Sequence, residues 1–167
     1  MKLVPILAGV ALMVTARASV VMAQDDGITR GSPAPAVTVG DVDGKPVDLG
    51  QWIGKRPVLL EFWATWCPLC ESLLPRMRAM HQKYGSQVAF IGINVAVNQT
   101  RDRVRRYMER HQLPFQVLYD EQGISARAYD APSTSYIVII DKQGKVAYTG
   151  IGTEQEFEAA LAQVTGS

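Results

Sequence analysis

The chain has 167 residues and a formal charge of +1, with 47% hydrophobic and 20% charged residues. That length suits one compact domain with a short appendage, and the composition excludes a disordered or collagen-like chain. The near-neutral charge supplies no global field that would point to nucleic acid.

Residues 1–23 read as an export signal. Lys2 is a minimal basic region, Leu3 to Val14 is apolar, and small Ala23 with Val21 two residues before it forms a cleavage pattern. "ARA" at Ala16–Ala18 is a second such pattern. An uncleaved membrane anchor is the alternative, but the apolar run of about 12 residues falls short of the roughly 20 that span a bilayer. The segment has no cysteine for lipid attachment. Cleavage removes Lys2 and Arg17 and leaves a charge of about −1. The expected location is therefore extracytoplasmic or periplasmic, where disulfides persist.

Residues 24–33, "QDDGITRGSP", read as a polar tether, and 34–167 as the folded domain. Within it, "AVTVGDVDGKPVDL" alternates apolar and polar residues around Asp43-Gly44, which predicts a β-hairpin. "PVLLEFWA" predicts a strand buried on both faces. Leu69, Leu73, Met77, Met80 and Tyr84 recur at helical spacing. "VAFIGINVAV" is a second buried strand. "TRDRVRRYMERH" is a helix with Thr100 as N-cap and Val104, Tyr107, Met108 and His111 on one face. A strand in "FQVLYD", a helix at Ile124–Tyr129, a hairpin turning at Lys142–Gly144 and a helix over Glu154–Val164 complete the order. Alternating strands and helices in the middle and a hairpin at the end predict a mixed central sheet with helices on both faces.

Both cysteines of the chain lie in "FWATWCPLC". They could be a redox pair, half of a metal site, or two thiols that happen to be close. Cys67 falls at the predicted helix N-terminus, where free N–H groups and the helix dipole stabilise a thiolate. Pro68 suits the first helical turn. Cys70, three residues on and expected to be less exposed, is within reach for a disulfide. Glu61 interrupts the apolar strand. A carboxyl buried there without a partner should hold its proton more tightly than a free one. It would be placed to accept a proton from Cys70. The alternative is an edge-strand glutamate in water.

These residues resemble thioredoxin-like proteins, and the fuller pattern resembles exported disulfide reductases of the TlpA/ResA type. The pattern comprises "SPAPAVTVGDVDGKPVDL", "VLLEFWATWCPLC", Pro75 five residues after Cys70, and "IDKQGKV". The resemblance covers roughly residues 33 to 164. It implies an α/β thioredoxin fold with an N-terminal β-hairpin and a central insertion. It also implies Cys67 as attacking thiol, Cys70 as resolving thiol, Glu61 as buried acid, and Trp63 and Trp66 as aromatic residues around the site. The implied activity is protein-disulfide reduction by the Cys67–Cys70 pair, with no other cofactor. Disulfide-containing proteins are the implied substrates and a membrane thiol relay the implied electron donor, and the chain is expected to act as a monomer.

Two departures from that family bear on the site. An acid carried by many relatives three residues after the second cysteine is Leu73 here. The family's cis-proline falls, on an ungapped count from Gly144, at Ser135, and Pro132 lies three residues earlier in "YDAPSTSY". Either Pro132 takes that role, or Thr134-Ser135 faces the disulfide through a trans peptide, in which case a proline at 135 would fit. Trp66, Pro68, Pro132, Thr134 and Ser135 are therefore the candidate substrate-binding residues.

Other functions fit less well. Structural zinc needs about four ligands, and His81 and His111 lack ligand spacing from the pair. A copper chaperone remains open because two thiolates suit Cu(I). A thiol peroxidase would need threonine and proline where Ala64 and Leu60 stand. Arg101, Arg103, Arg105, Arg106 and Arg110 make one helix basic. Such a run is commonly a solvated face, and the sharper reading is attraction to an acidic partner or anionic lipid.

Overall fold

A computed structural model describes residues 27–166 of the chain, so the expected export signal lies outside the described residues. The elements in order are β1 (Thr38–Asp41), β2 (Pro46–Asp48), a 3-10 turn (Leu49–Gln51), β3 (Val58–Trp63), α1 (Pro68–Tyr84), β4 (Ala89–Asn94), α2 (Arg101–His111), β5 (Gln116–Tyr119), α3 (Ile124–Ala128), β6 (Tyr136–Ile140), β7 (Val146–Ile151) and α4 (Phe157–Thr165). The strands form one seven-stranded sheet in the order β2-β1-β5-β4-β3-β6-β7. This is the mixed thioredoxin-type α/β sheet expected from the sequence. The insertion, α2 and β5, widens it on the β4 side.

The apolar runs explain the centre of the sheet. β3 is buried along its whole length. It pairs in parallel with β4, Val58 opposite Ala89 through Trp63 opposite Asn94, and antiparallel with β6, Phe62 opposite Tyr136. Alternation divides its side chains between two cores. Val58, Leu60 and Phe62 join Ile91, Ile93, Leu118, Val138 and Tyr129 on the face covered by the 3-10 turn and α3. Leu59 joins Leu73 and Met77 of α1 and Phe157 and Leu161 of α4 on the other face. Trp63 packs there with both cysteines and with Val104 of α2. Glu61, between Leu59 and Trp63, therefore points to the face that α1 covers.

Two boundaries and the placement of the helices differ from the sequence expectation. The stretch 24–33 was expected to be a tether, yet from Gly27 onward it is docked. Ile28 is buried, the Gly31 N–H donates to the Val146 carbonyl, and the Val146 N–H donates to the Ser32 carbonyl. Backbone pairing of this kind has no compositional signature. The last helix starts at Phe157, not Glu154. The Gln155 carbonyl accepts from Arg76 at 2.6 Å, and the Gln155 amide donates to the Ser135 and Gly152 carbonyls. The helices are also unequally shared. Among the described residues, α1, α2 and α4 lie on one face, and the short α3 and the 3-10 turn cover the other.

Gly92 sits opposite Glu61 in the sheet. A Cβ there would fall 2.9 Å from Trp63 Nε1 and 3.1 Å from the Phe115 ring. The glycine thus makes room for the Trp63 indole beside the carboxyl. Gly92→Ala is expected to destabilise the fold by roughly 1–3 kcal/mol through overpacking. Gly40→Ala, where a Cβ meets nothing closer than 3.9 Å, should cost much less. Urea unfolding of the two variants measures the difference.

Candidate active site: a cysteine pair over a buried carboxyl

β3 ends at Trp63, and a turn through Ala64 delivers Cys67 to the N-cap of α1 with Pro68 at the first helical position. The Cys70 N–H donates to Cys67 Sγ at 3.1 Å, and the Glu71 N–H donates to the Cys67 carbonyl at 3.2 Å. Cys67 Sγ therefore occupies the place of a capping acceptor, where the helix's free N–H groups favour negative charge. Cys67 and Cys70 are joined as a disulfide with Cα atoms 5.3 Å apart. Exposure does not separate them as expected, since they are 5% and 4% exposed. Position does. Cys67 is at the helix terminus, and Cys70 lies over the interior.

That interior contains Glu61. A cavity of about 10 Å³, space for about one water molecule, is lined by Glu61, Trp63, Cys70, Leu74, Tyr107, Leu113 and Phe115. Glu61 Oε1 and Trp63 Nε1 are buried with no hydrogen-bond partner. Burial raises the Glu61 pKa to about 8, because a carboxylate there would lose its hydration without gaining a countercharge. The carboxyl is thus a neutral acid at neutral pH, sharing a cavity with the second cysteine. Tyr107, in the wall of this cavity, stacks on His111 at 4.0 Å and packs on Trp63 at 5.1 Å. Its phenol is held above its ordinary pKa by burial, with smaller contributions from Glu71 and Glu61.

On the Trp66 side the surface beside the pair is largely apolar. Trp66 is 42% exposed, and its indole N–H donates to the Val97 carbonyl at 2.7 Å. Leu69 and Val97 are exposed nearby in the chain. A groove of about 310 Å³ runs from Trp66 and Val97 to Ala131, Ser133 and Thr134. Trp66 and Thr134 thus meet in one groove, and Pro68 and Pro132 are exposed beside these segments without lining it.

Ser135 is placed differently from the expectation that it contacts substrate. It is fully buried, its hydroxyl accepts from the Gly152 N–H, and its carbonyl accepts from Gln155. All peptide bonds among the described residues are trans, that of Pro132 included. Ser135 has φ +58, a left-handed conformation closed to the proline ring. A proline at 135 therefore does not fit this loop, contrary to the sequence reading.

The other candidates fall outside the site. His81 packs edge-on to Phe90, and His111 stacks on Tyr107. Leu73, where relatives carry an acid, is core. Sequence reasoning missed two supports. Gln99 accepts the Thr65 N–H at 3.1 Å, and Gln155 fastens the Ser135 turn. Neither has a sequence signal beyond being polar.

Residues 29–164 match the Redoxin family. The chain belongs to that family, within its thioredoxin-like ResA/TlpA type. It is 31% identical over 138 residues to the thioredoxin-like protein YneN of Bacillus subtilis, covering 81% of this chain and 80% of that one. It is 32% identical over 137 residues to the thiol-disulfide oxidoreductase ResA of Bacillus thuringiensis, with 81% and 78% covered. A solved thiol:disulfide interchange protein of the thioredoxin family from Chlorobium tepidum superposes with a TM-score of 0.67 at 27% identity, covering 81% of this chain and 97% of that one. With its CxxC pair and this kinship, the Redoxin-family protein described here is a thiol–disulfide oxidoreductase.

The buried acid makes stability depend on pH in a definite direction. Below about pH 4.5 Glu61 is protonated in both the folded and the unfolded chain and contributes nothing. Between that value and about 8 the unfolded chain releases the proton and the folded one keeps it, so stability falls as pH rises. Glu61→Gln removes this dependence. Chemical denaturation should show the variant gaining on the wild type by up to a few kcal/mol between pH 4 and pH 9, and a constant gap would contradict it.

Proposed function

We propose that this oxidoreductase works outside the cytoplasm as a reductase of protein disulfides. The single observation that carries the reading is the unequal placement of the pair, with Cys67 capping α1 and Cys70 lining the cavity of the Glu61 carboxyl. In the reduced protein, Cys67 thiolate attacks one sulfur of a substrate disulfide. That bond breaks, one substrate thiolate leaves, and a mixed disulfide to Cys67 remains. In the molecules whose Glu61 is ionised, a fraction that grows as pH rises toward 8, Cys70 then gives its proton to the carboxylate and attacks Cys67 Sγ. The second substrate thiol leaves and the Cys67–Cys70 disulfide forms, two electrons having passed to the substrate. Re-reduction runs the sequence backwards, with protonated Glu61 returning the proton to Cys70. It requires a dithiol donor, for which a membrane thiol relay is the proposal.

Location and substrate rest on separate supports. The export pattern of residues 1–23 supports an extracytoplasmic site of action, and no helix among the described residues is long and apolar enough to cross a membrane. The groove between Trp66 and Thr134 would seat an extended segment of the substrate, with apolar side chains against Trp66 and Val97. Pro68 and Pro132 would flank it, and Ser135 would hold the turn from beneath.

In the reduced protein, one equivalent of alkylating agent at pH 6 should modify Cys67 far ahead of Cys70 on peptide mapping. Cys70→Ser should trap the mixed disulfide through Cys67. In stopped-flow traces the resolution step should accelerate with pH around a midpoint near 8, set by Glu61. Glu61→Gln should flatten and slow that step while sparing the initial attack. A normal resolution step with a slowed first step would refute the assignment.

A further inference from the structure

The arginines of α2 fall into two groups. Arg101 is tied to the Asp41 carbonyl and Glu121, and Arg105 to Asp102, Asp43 and the Val42 carbonyl. Arg103, Arg106 and Arg110, three and four residues apart, share one helical face. They are exposed, and no hydrogen bond, ion pair or ring contact engages their guanidinium groups among the described residues.

These three side chains do not simply radiate into solvent. With Thr65 and Tyr107 they line a pocket of about 140 Å³. No acidic residue lines it. Thr65 lines the pocket, and its hydroxyl oxygen is buried without a hydrogen-bond partner, so three cationic forks stand beside a hydroxyl whose rotation would offer a donor to a bound anion. Guanidinium groups match carboxylate geometry and bind it with charge-assisted hydrogen bonds.

The pocket also adjoins the redox site. Thr65 precedes Cys67 by two residues, which keeps their Cα atoms within about 7.6 Å. Tyr107 is a wall shared between this pocket and the cavity that holds Glu61 and Cys70.

We propose that this pocket is an anion subsite that receives a carboxylate of the disulfide-bearing partner, so that the enzyme favours disulfides flanked by acidic side chains. The inference rests on the disulfide-reductase reading above and adds a charge preference to it.

Three small disulfides with the same alkyl core test it: bis(2-carboxyethyl) disulfide, bis(2-hydroxyethyl) disulfide and cystamine. For each protein, the rate constant for oxidation of the reduced pair by the charged probe is divided by that for the hydroxyethyl probe. The combined R103Q/R106Q/R110Q variant should lower the carboxylate ratio roughly five- to tenfold at low ionic strength, the size expected of three exposed charge pairs. The same variant should raise the cystamine ratio. Salt at about 0.5 M should bring the wild type toward the variant. Thr65→Val, which keeps every charge, should lower the carboxylate ratio about two- to threefold by removing the hydroxyl donor.

Lys142→Gln is the control for a diffuse field. It removes one positive charge from the β6–β7 turn, at the end of the sheet away from the cysteines. Its ratio should match the wild type. A triple variant with unchanged ratios, or a Lys142→Gln effect as large as that of an arginine substitution, would overturn the subsite. Failure of the wild type to reduce even the hydroxyethyl probe would instead overturn the reductase reading beneath it.

Discussion

The site depends on one costly placement: a carboxyl set in the middle of the central strand, facing the helix that carries the cysteines. β3 is hydrogen-bonded on both sides, and every residue in it is buried. Glu61 therefore has no route to bulk water by a change of rotamer alone. Its surroundings hold it neutral by withholding partners. A carboxyl with a pKa near 8 is placed, on the proposed mechanism, to take a proton from Cys70 when ionised and to return one when neutral, and both forms are accessible near physiological pH. The glycine opposite it leaves room for the indole of Trp63, which lines the same cavity.

The two thiols are differentiated by the same geometry. Helix α1 starts at Pro68, a residue suited to the first turn, with the Cys67 sulfur filling the capping role. Cys70, one turn deeper, is brought over the cavity. One sulfur thus accepts from a backbone donor at the helix start, and the other lines the cavity of the buried acid, the arrangement on which the proposed division of roles rests. The charged and apolar features outside it, the arginine face of α2 and the Trp66 groove, lie on the rim where a partner would arrive.

Much of this was readable in the chain. The "VLLEFW" run shows its double burial in its own composition, and Glu61 stood out because it broke that run. Cys67 and Pro68 carry the helix start in their residue types. The strand and helix order followed from periodicity and turn residues, with both hairpins at their predicted glycines. What was not legible depends on distant contacts. Tyr107 belongs to a helix face that reads simply as apolar, and only packing brings it against Trp63. The inward turn at Ser135 depends on Gln155 and Gly152, 20 and 17 residues away. The docking of residues 27–33 combines backbone bonds to Val146 of β7 with the burial of Ile28 and the hold of Arg30 on Thr149, contacts with residues more than 100 positions away.

The central claim is that Glu61 is a neutral acid facing Cys70. It is tested most directly by following the side-chain carboxyl of Glu61 by ¹³C NMR across a pH titration of the oxidised protein, with Glu61→Gln identifying the resonance. The account predicts a midpoint near 8. A midpoint near 4.5, the ordinary value for a glutamate, would place the carboxyl in water and contradict it.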